Sequence, residues 1–92
     1  MVKKRSKLEV IYDILKIIKL HKNSIKTTPL LRQSNLSSER FLQYFSELLE
    51  KDLIREIKSG DNNGKLITLT DKGFKYLERY KEINSFISEF GL

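Results

Sequence analysis

From Ser6 to about His21, apolar side chains recur at helical spacing: Leu8, Ile11, Ile14 or Leu15, and Ile18 share one face, and Lys16, Lys19 and Lys22 share the other. The pattern predicts a first amphipathic helix that Asn23 and Ser24 end. Ile25-Lys26 allows only a stub of strand before Thr28-Pro29, where Thr suits a cap and Pro the first helical position, so a short second helix is expected to about Ser34. Asn35 makes a turn, Leu36 supplies an apolar plug and Ser37 caps a third helix through Lys51. At 100° per residue, Phe41, Tyr44, Phe45, Leu48 and Leu49 share one face, opposite Glu39, Arg40, Gln43, Glu47 and Glu50.

The period then changes. Leu53 to Lys58 and Lys65 to Leu69 read as two strands joined by Ser59-Gly60-Asp61-Asn62-Asn63-Gly64, a hairpin with a glycine- and asparagine-rich tip. Thr70 with Asp71 behind it caps a last helix to about Phe90. Helix, strand stub, helix, turn, helix, hairpin, helix is the order of a winged helix-turn-helix, in an α+β class that is mainly α. Within the last helix Tyr76, Tyr80, Ile83, Ile87 and Phe90 are spaced four, three, four and three, an a/d seam, whereas Phe74 and Leu77 lie on another face suited to the domain. The expected organisation is a basic arm over residues 1–7, a winged-helix body over 8–70 and a helix over 71–92 that forms a dimer coiled coil.

Composition narrows the function classes. Ninety-two residues with 39% hydrophobic content support one modest core, which excludes a two-domain enzyme. Without cysteine there is no disulfide or thiolate metal site, and His21 alone makes no zinc centre. Self-association is the remaining route to added stability for a chain this short. Met1-Val2-Lys3-Lys4-Arg5 is not read as the start of a signal peptide, because Glu9, Asp13 and Lys16 interrupt the apolar residues behind it. No run approaches the ~20 apolar residues of a membrane span. A net charge of +6 points to an acidic partner, and it is unevenly placed: residues 1 to 34 hold nine basic side chains against Glu9 and Asp13 alone.

Several groups are placed to meet nucleic acid. Ser37, Ser38, Arg40 and Gln43 open the third helix, the element expected to approach base edges, and Arg and Gln are types that pair with guanine and adenine. Glu39, Glu47 and Glu50 argue instead for a plain solvated face, since carboxylates repel phosphate. Lys3, Lys4, Arg5 and Lys7 suit an arm along the backbone or in a minor groove, and equally a solubilising tail. Lys26, Thr27 and Arg32 stand near the second helix as phosphate contacts or bystanders, and Lys58 and Lys65 flank the wing. Asp61 to Gly64 is not a calcium loop, because Ser59 and Thr70 at its ends supply no carboxylate. His21 closes the first helix, where positive charge suits the dipole. No nucleophile is paired with a base and no glycine loop cradles phosphate, so neither catalysis nor a cofactor is expected.

Asn35-Leu36-Ser37-Ser38, then Tyr44-Phe45-Ser46-Glu47-Leu48-Leu49-Glu50-Lys51-Asp52-Leu53-Ile54, then Leu69-Thr70-Asp71-Lys72-Gly73 give the chain a family resemblance from about Lys7 to Phe90. It resembles the archaeal winged-helix proteins of the Sulfolobus ten-a family. The resemblance implies a small basic DNA-binding protein paired through a long C-terminal helix. Asp52 departs from it, standing where such proteins usually place Gly to end the third helix in a left-handed conformation, and this leaves open how that helix ends. The expected protein is a homodimer that binds double-stranded DNA mainly through phosphates, in chromosome organisation or transcriptional regulation. It would be cytoplasmic and chromosome-associated, with no membrane or small-molecule partner evident. The alternative is a winged helix that grips a protein, motivated by the acidic outer face of the third helix.

Overall fold

A computed structural model describes residues 5–58 and 64–92. Lys3 and Lys4 of the arm and the hairpin tip from Ser59 to Asn63 lie outside them. Among the described residues seven elements follow the expected order: α1 Lys7–Leu20, β1 Ile25–Lys26, α2 Thr27–Ser34, α3 Ser38–Glu50, β2 Ile54–Lys58, β3 Lys65–Leu69 and α4 Asp71–Glu89. The antiparallel sheet has the order β1-β3-β2, with Ile25 opposite Ile67 and Ile54 opposite Leu69. The stub β1 thus covers one edge of the hairpin, so the wing leaves the domain from a three-stranded base.

Helix α1 is the centre of the core. Its Val10, Ile11, Ile14, Leu15 and Ile18 are all buried, against Leu30 of α2, Phe41 and Leu48 of α3, Ile67 and Leu69 of β3 and Leu77 of α4. The hydroxyl of Ser6 caps the helix by accepting from the Glu9 N–H at 3.2 Å. One assignment from the pattern moves: Leu8 is exposed and Val10 takes its place, because the buried stripe is centred on Ile14 and Ile18 and Leu8 sits at its rim, in the first turn. The second helix also starts earlier than Thr28-Pro29 suggests. Lys26 holds the extended N-cap position as part of β1, the helix opens at Thr27, and no side chain caps it.

Helix ends set the path of the chain. Asn35 closes α2 in the left-handed region (φ 59°), and Ser37 caps α3 by accepting from the Arg40 N–H. At the other end of α3, Asp52 is left-handed (φ 60°), the Asp52 N–H donates to Leu49 O and the Leu53 N–H to Leu48 O. These two bonds, with Leu48 and Leu53 both buried, form a Schellman motif. The helix therefore ends as it would with glycine, and Asp52 bears the left-handed cost.

The first turn of α4 docks onto this same turn. Thr70 Oγ1 donates to Asp52 O at 2.6 Å and accepts from the Gly73 N–H at 3.1 Å, the Thr70 N–H donates to Leu53 O, and Lys72 Nζ reaches Lys51 O at 2.8 Å. Gly73 is buried so closely here that a Cβ would lie 2.3 Å from Leu53 O, a backbone atom with little room to move. Farther along, Leu77 is buried, Tyr76 donates to Leu8 O at 2.8 Å, and Tyr80 stacks on Tyr12 with centroids 4.4 Å apart. The first two tyrosines of the a/d seam thus lie against α1 of their own chain.

Gly73→Ala is expected to lower unfolding stability by about 1–3 kcal/mol or more, since the clash is with main chain. Asp52→Gly is expected to raise it by up to about 1 kcal/mol by relieving the left-handed residue; chemical denaturation measures both. Burial, with the nearby Tyr80, pushes the Tyr76 phenol up to about 12. The folded value exceeds the unfolded one near 10, so this contribution is whole below about pH 10 and is lost as pH rises toward 12. Ultraviolet titration should show a phenolate step near pH 12, and Tyr76→Phe should remove it.

Candidate nucleic-acid interface

Helices α2 and α3 with the Asn35 turn make the helix-turn-helix, and half-buried Leu36 plugs the turn against the core. Phe41 and Leu48 anchor α3 from beneath, with Phe45 stacked on Phe41 at 5.6 Å between centroids. Ser37, Ser38, Glu39, Arg40, Leu42, Gln43, Ser46 and Glu50 are left on the surface. Leu42, 57% exposed, does not stand out in the sequence. It lies 100° from Phe41, off the Phe41-Phe45-Leu48 stripe, and that angle is the signal that finds it. An exposed aliphatic group here has the chemistry to meet a thymine methyl.

Glu47 is not a free acid on this face. Its Oε2 lies 2.8 Å from Lys7 Nζ, across from the start of α1, and 3.4 Å from Lys51 Nζ, one turn on along its own helix. The hydrogen bond from Lys7 holds the Glu47 carboxyl below the usual carboxylate range, and the same bond raises Lys7. Both groups are at the surface, so the pair orders charge more than it stabilises the fold. Lys7, Arg40, Gln43, Tyr44 and Glu47 together line an open cleft of about 220 Å³ along α3. Tyr44 joins the candidate site through this cleft, and Lys51 through its pairing with Glu47. Neither was evident from the sequence, because the cleft depends on how α1 crosses α3.

The arm residue Arg5 points elsewhere. Its guanidinium donates to Asp13 Oδ2 and to Ser34 O, both at 2.9 Å, tying the entry to α1 onto the end of α2. The register carries Lys26, opposite Leu66, and Lys58, opposite Lys65, to the open end of the sheet. Two lysines are paired across the strands there, and Glu56, diagonal to Lys65, approaches it at 3.9 Å. Arg32 is exposed on the last turn of α2 and Thr27 is half-buried at its start. The structure therefore gathers Lys7, Arg40 and Gln43 along α3 and Lys26, Lys58 and Lys65 at the wing, and directs Arg5 inward.

The remaining candidates lie on α4. Beyond Tyr80 every residue is exposed, including Ile83 (55%), Phe86 (56%), Ile87 (38%) and Phe90 (63%). Phe86 and Phe90 pack on each other at 4.9 Å between centroids, which adds Phe86 to the apolar stripe. No helix of the described residues is long and apolar enough to cross a membrane, and among them no cluster of His, Cys, Asp and Glu could hold a metal ion.

Comparison with known proteins agrees with this architecture. The fold is similar to that of Sso10a-2, a DNA-binding protein from Sulfolobus solfataricus (TM-score 0.75, 16% identity, 94% of this chain and 85% of that one). It is similar to the PcaV transcriptional regulator from Streptomyces coelicolor (TM-score 0.73, 16% identity, 88% and 60%) and to the transcriptional repressor CouR bound to a 23-mer DNA duplex (TM-score 0.71, 18% identity, 89% and 56%). The chain thus spans little more than half the length of the two regulators, and at these identities the likeness is one of fold. No curated protein sequence matches it. A family model described as winged helix-turn-helix matches residues 4–88, nearly the whole of a chain whose elements, turn and hairpin have the same order, and the protein belongs to that family.

Proposed function

We propose that the protein is a homodimer that binds double-stranded DNA mainly through its phosphates, acting on the chromosome in the cytoplasm as an organiser or a transcriptional regulator. The observation that carries this reading is the outer face of α3. Its central carboxylate, Glu47, is paired with Lys7 and Lys51, so the cleft that presents Arg40 and Gln43 holds more cations than carboxylates, while Glu39 and Glu50 stay exposed on the same face. Lys26, Lys58 and Lys65 at the wing supply a second set of cations for the neighbouring backbone. Fold neighbours described as DNA-binding, and one bound to a duplex, support the same use of these elements. The residues brought together are suited to binding, and the function is read as binding without catalysis.

Pairing rests on the stripe of Ile83, Phe86, Ile87 and Phe90. Four large apolar side chains standing clear of the domain on one helix favour association, and identical copies supply identical stripes, which gives a two-fold dimer. The tyrosines at the start of the a/d seam have a place inside the domain, so the pairing contact is assigned to the later turns.

Duplex titrations across salt concentrations should give log K falling with log salt at a slope near −5 if ~6 phosphates are neutralised per site. Replacing Arg40, Lys58 and Lys65 by Ala should weaken binding by roughly tenfold or more and flatten that slope by about 1 for each phosphate no longer neutralised. Glu47→Gln should strengthen binding a few-fold, since it frees Lys7 and Lys51 for phosphate. No duplex binding at low salt would overturn the proposal and favour a protein partner for the exposed Glu39, Leu42 and Glu50. Ile83→Lys with Ile87→Lys should give the mass of a single chain in sedimentation; an unchanged mass would remove the stripe from the dimer contact.

A further inference from the structure

We propose that the slot between α1 and α4 binds a small organic anion with a single-ring or short aliphatic body, of which benzoate is a simple representative. Tyr12, Lys16 and Lys19 stand at i, i+4 and i+7 on α1, and Leu77 and Lys81 at i and i+4 on α4, so one stripe from each helix forms a wall. Leu20 also lines the slot, whose volume is about 90 Å³. The floor is apolar and fixed: Leu77 is buried, and Tyr12 is held by its stack on Tyr80. The Lys16 ammonium lies 5.8 Å from the centre of the Tyr12 ring, poised over the slot.

Charge and shape together select the ligand. Lys16, Lys19 and Lys81 converge on one opening, and none of them makes an ion pair with an acid among the described residues. The three cations call for an anion, and the lining by Leu20, Leu77 and Tyr12 calls for a small apolar body. A drug-sized molecule would need roughly 300 Å³ or more, so the body is small. A DNA phosphate would meet the ammonium groups but leave the apolar floor unmatched. Lys16 is also nine residues along α1 from Lys7, about 14 Å from the cleft beside α3. Leu77 is the last buried residue of α4, so an anion in the slot would touch both helices where α4 leaves the domain. This inference does not depend on the DNA-binding reading.

The test is amide chemical-shift titration of the whole chain with benzoate, with benzamide and inorganic phosphate as controls lacking the charge and the apolar body. Saturable shifts confined to Tyr12–Leu20 and Leu77–Lys81 are expected, with a dissociation constant in the millimolar range or tighter. Benzamide, phosphate, and benzoate added to a Lys16→Gln, Lys81→Gln variant should each bind roughly tenfold more weakly or worse, the loss expected when a charged partner or the apolar contact is removed. Both lysines are exposed, so the variant should keep the wild-type amide pattern elsewhere. Absent or unsaturable shifts, equal binding of benzamide, or unchanged binding by the variant would each overturn the proposal. So would a duplex that shifts the same amides while benzoate does not, which would make the slot a DNA contact.

Discussion

The close approach of Gly73 to Leu53 O is the constraint on which the other parts of the molecule depend. Three elements meet there: the end of α3, the start of the hairpin and the first turn of α4. Thr70 donates to the carbonyl of Asp52 with the same hydroxyl that caps α4, and a glycine at position 73 lets the two backbones touch. Because the Schellman turn at Asp52 fixes how the chain leaves α3, the direction of the wing and the direction of α4 are set by one local geometry. The outer face of α3, the basic end of the hairpin and the exposed stripe of α4 are therefore held in a fixed relation by the turn they share.

Electrostatics is organised by internal pairing as much as by net charge. Nine of the basic residues fall in the first 34 positions, and among the described ones Arg5 and Lys7 have acidic partners in the fold. Arg5, just ahead of α1, pairs with Asp13 of that helix and donates to Ser34 O at the α2 carbonyl end, where a cation suits the helix dipole. Lys7 neutralises Glu47. The effect on α3 is to remove the repulsion that a central carboxylate would exert on phosphate. A face that reads as acidic in sequence becomes balanced in charge through its own Lys51 and a lysine some forty residues away. The remaining lysines of α1 and Lys81 gather on the α4 side, where the apolar floor gives them a different chemistry from that of the wing.

The parts legible in the sequence were those governed by neighbours in the chain. Caps at Ser37 and Thr70, the turn at Asn35 and the switch from helical to alternating period all rest on local preferences, and each lies where the pattern puts it. Legibility failed where packing from a distant element decided the outcome. Leu8 looks like core by spacing but sits at the rim of the buried stripe, and the second helix starts at Thr27 because strand pairing at Lys26 sets the boundary. Tyr76 and Tyr80 fit an a/d seam equally well whether the partner is a second copy or α1 of the same chain, and periodicity cannot distinguish the two. The α1–α4 slot joins residues some 60 positions apart and has no local signature at all.

The division of α4 into a docked half and an exposed half also constrains any pairing. The exposed stripe from Ile83 to Phe90 covers about two turns, so any contact between two such stripes is confined to the end of the helix. Each copy carries +6, and like charge on the two domains opposes their approach at low salt. Screening would relieve that repulsion while weakening attraction to phosphate, so salt acts with opposite sign on the two associations. In the proposed homodimer, DNA would neutralise part of the charge that opposes pairing, so a bound duplex would add to the association that the apolar stripe provides.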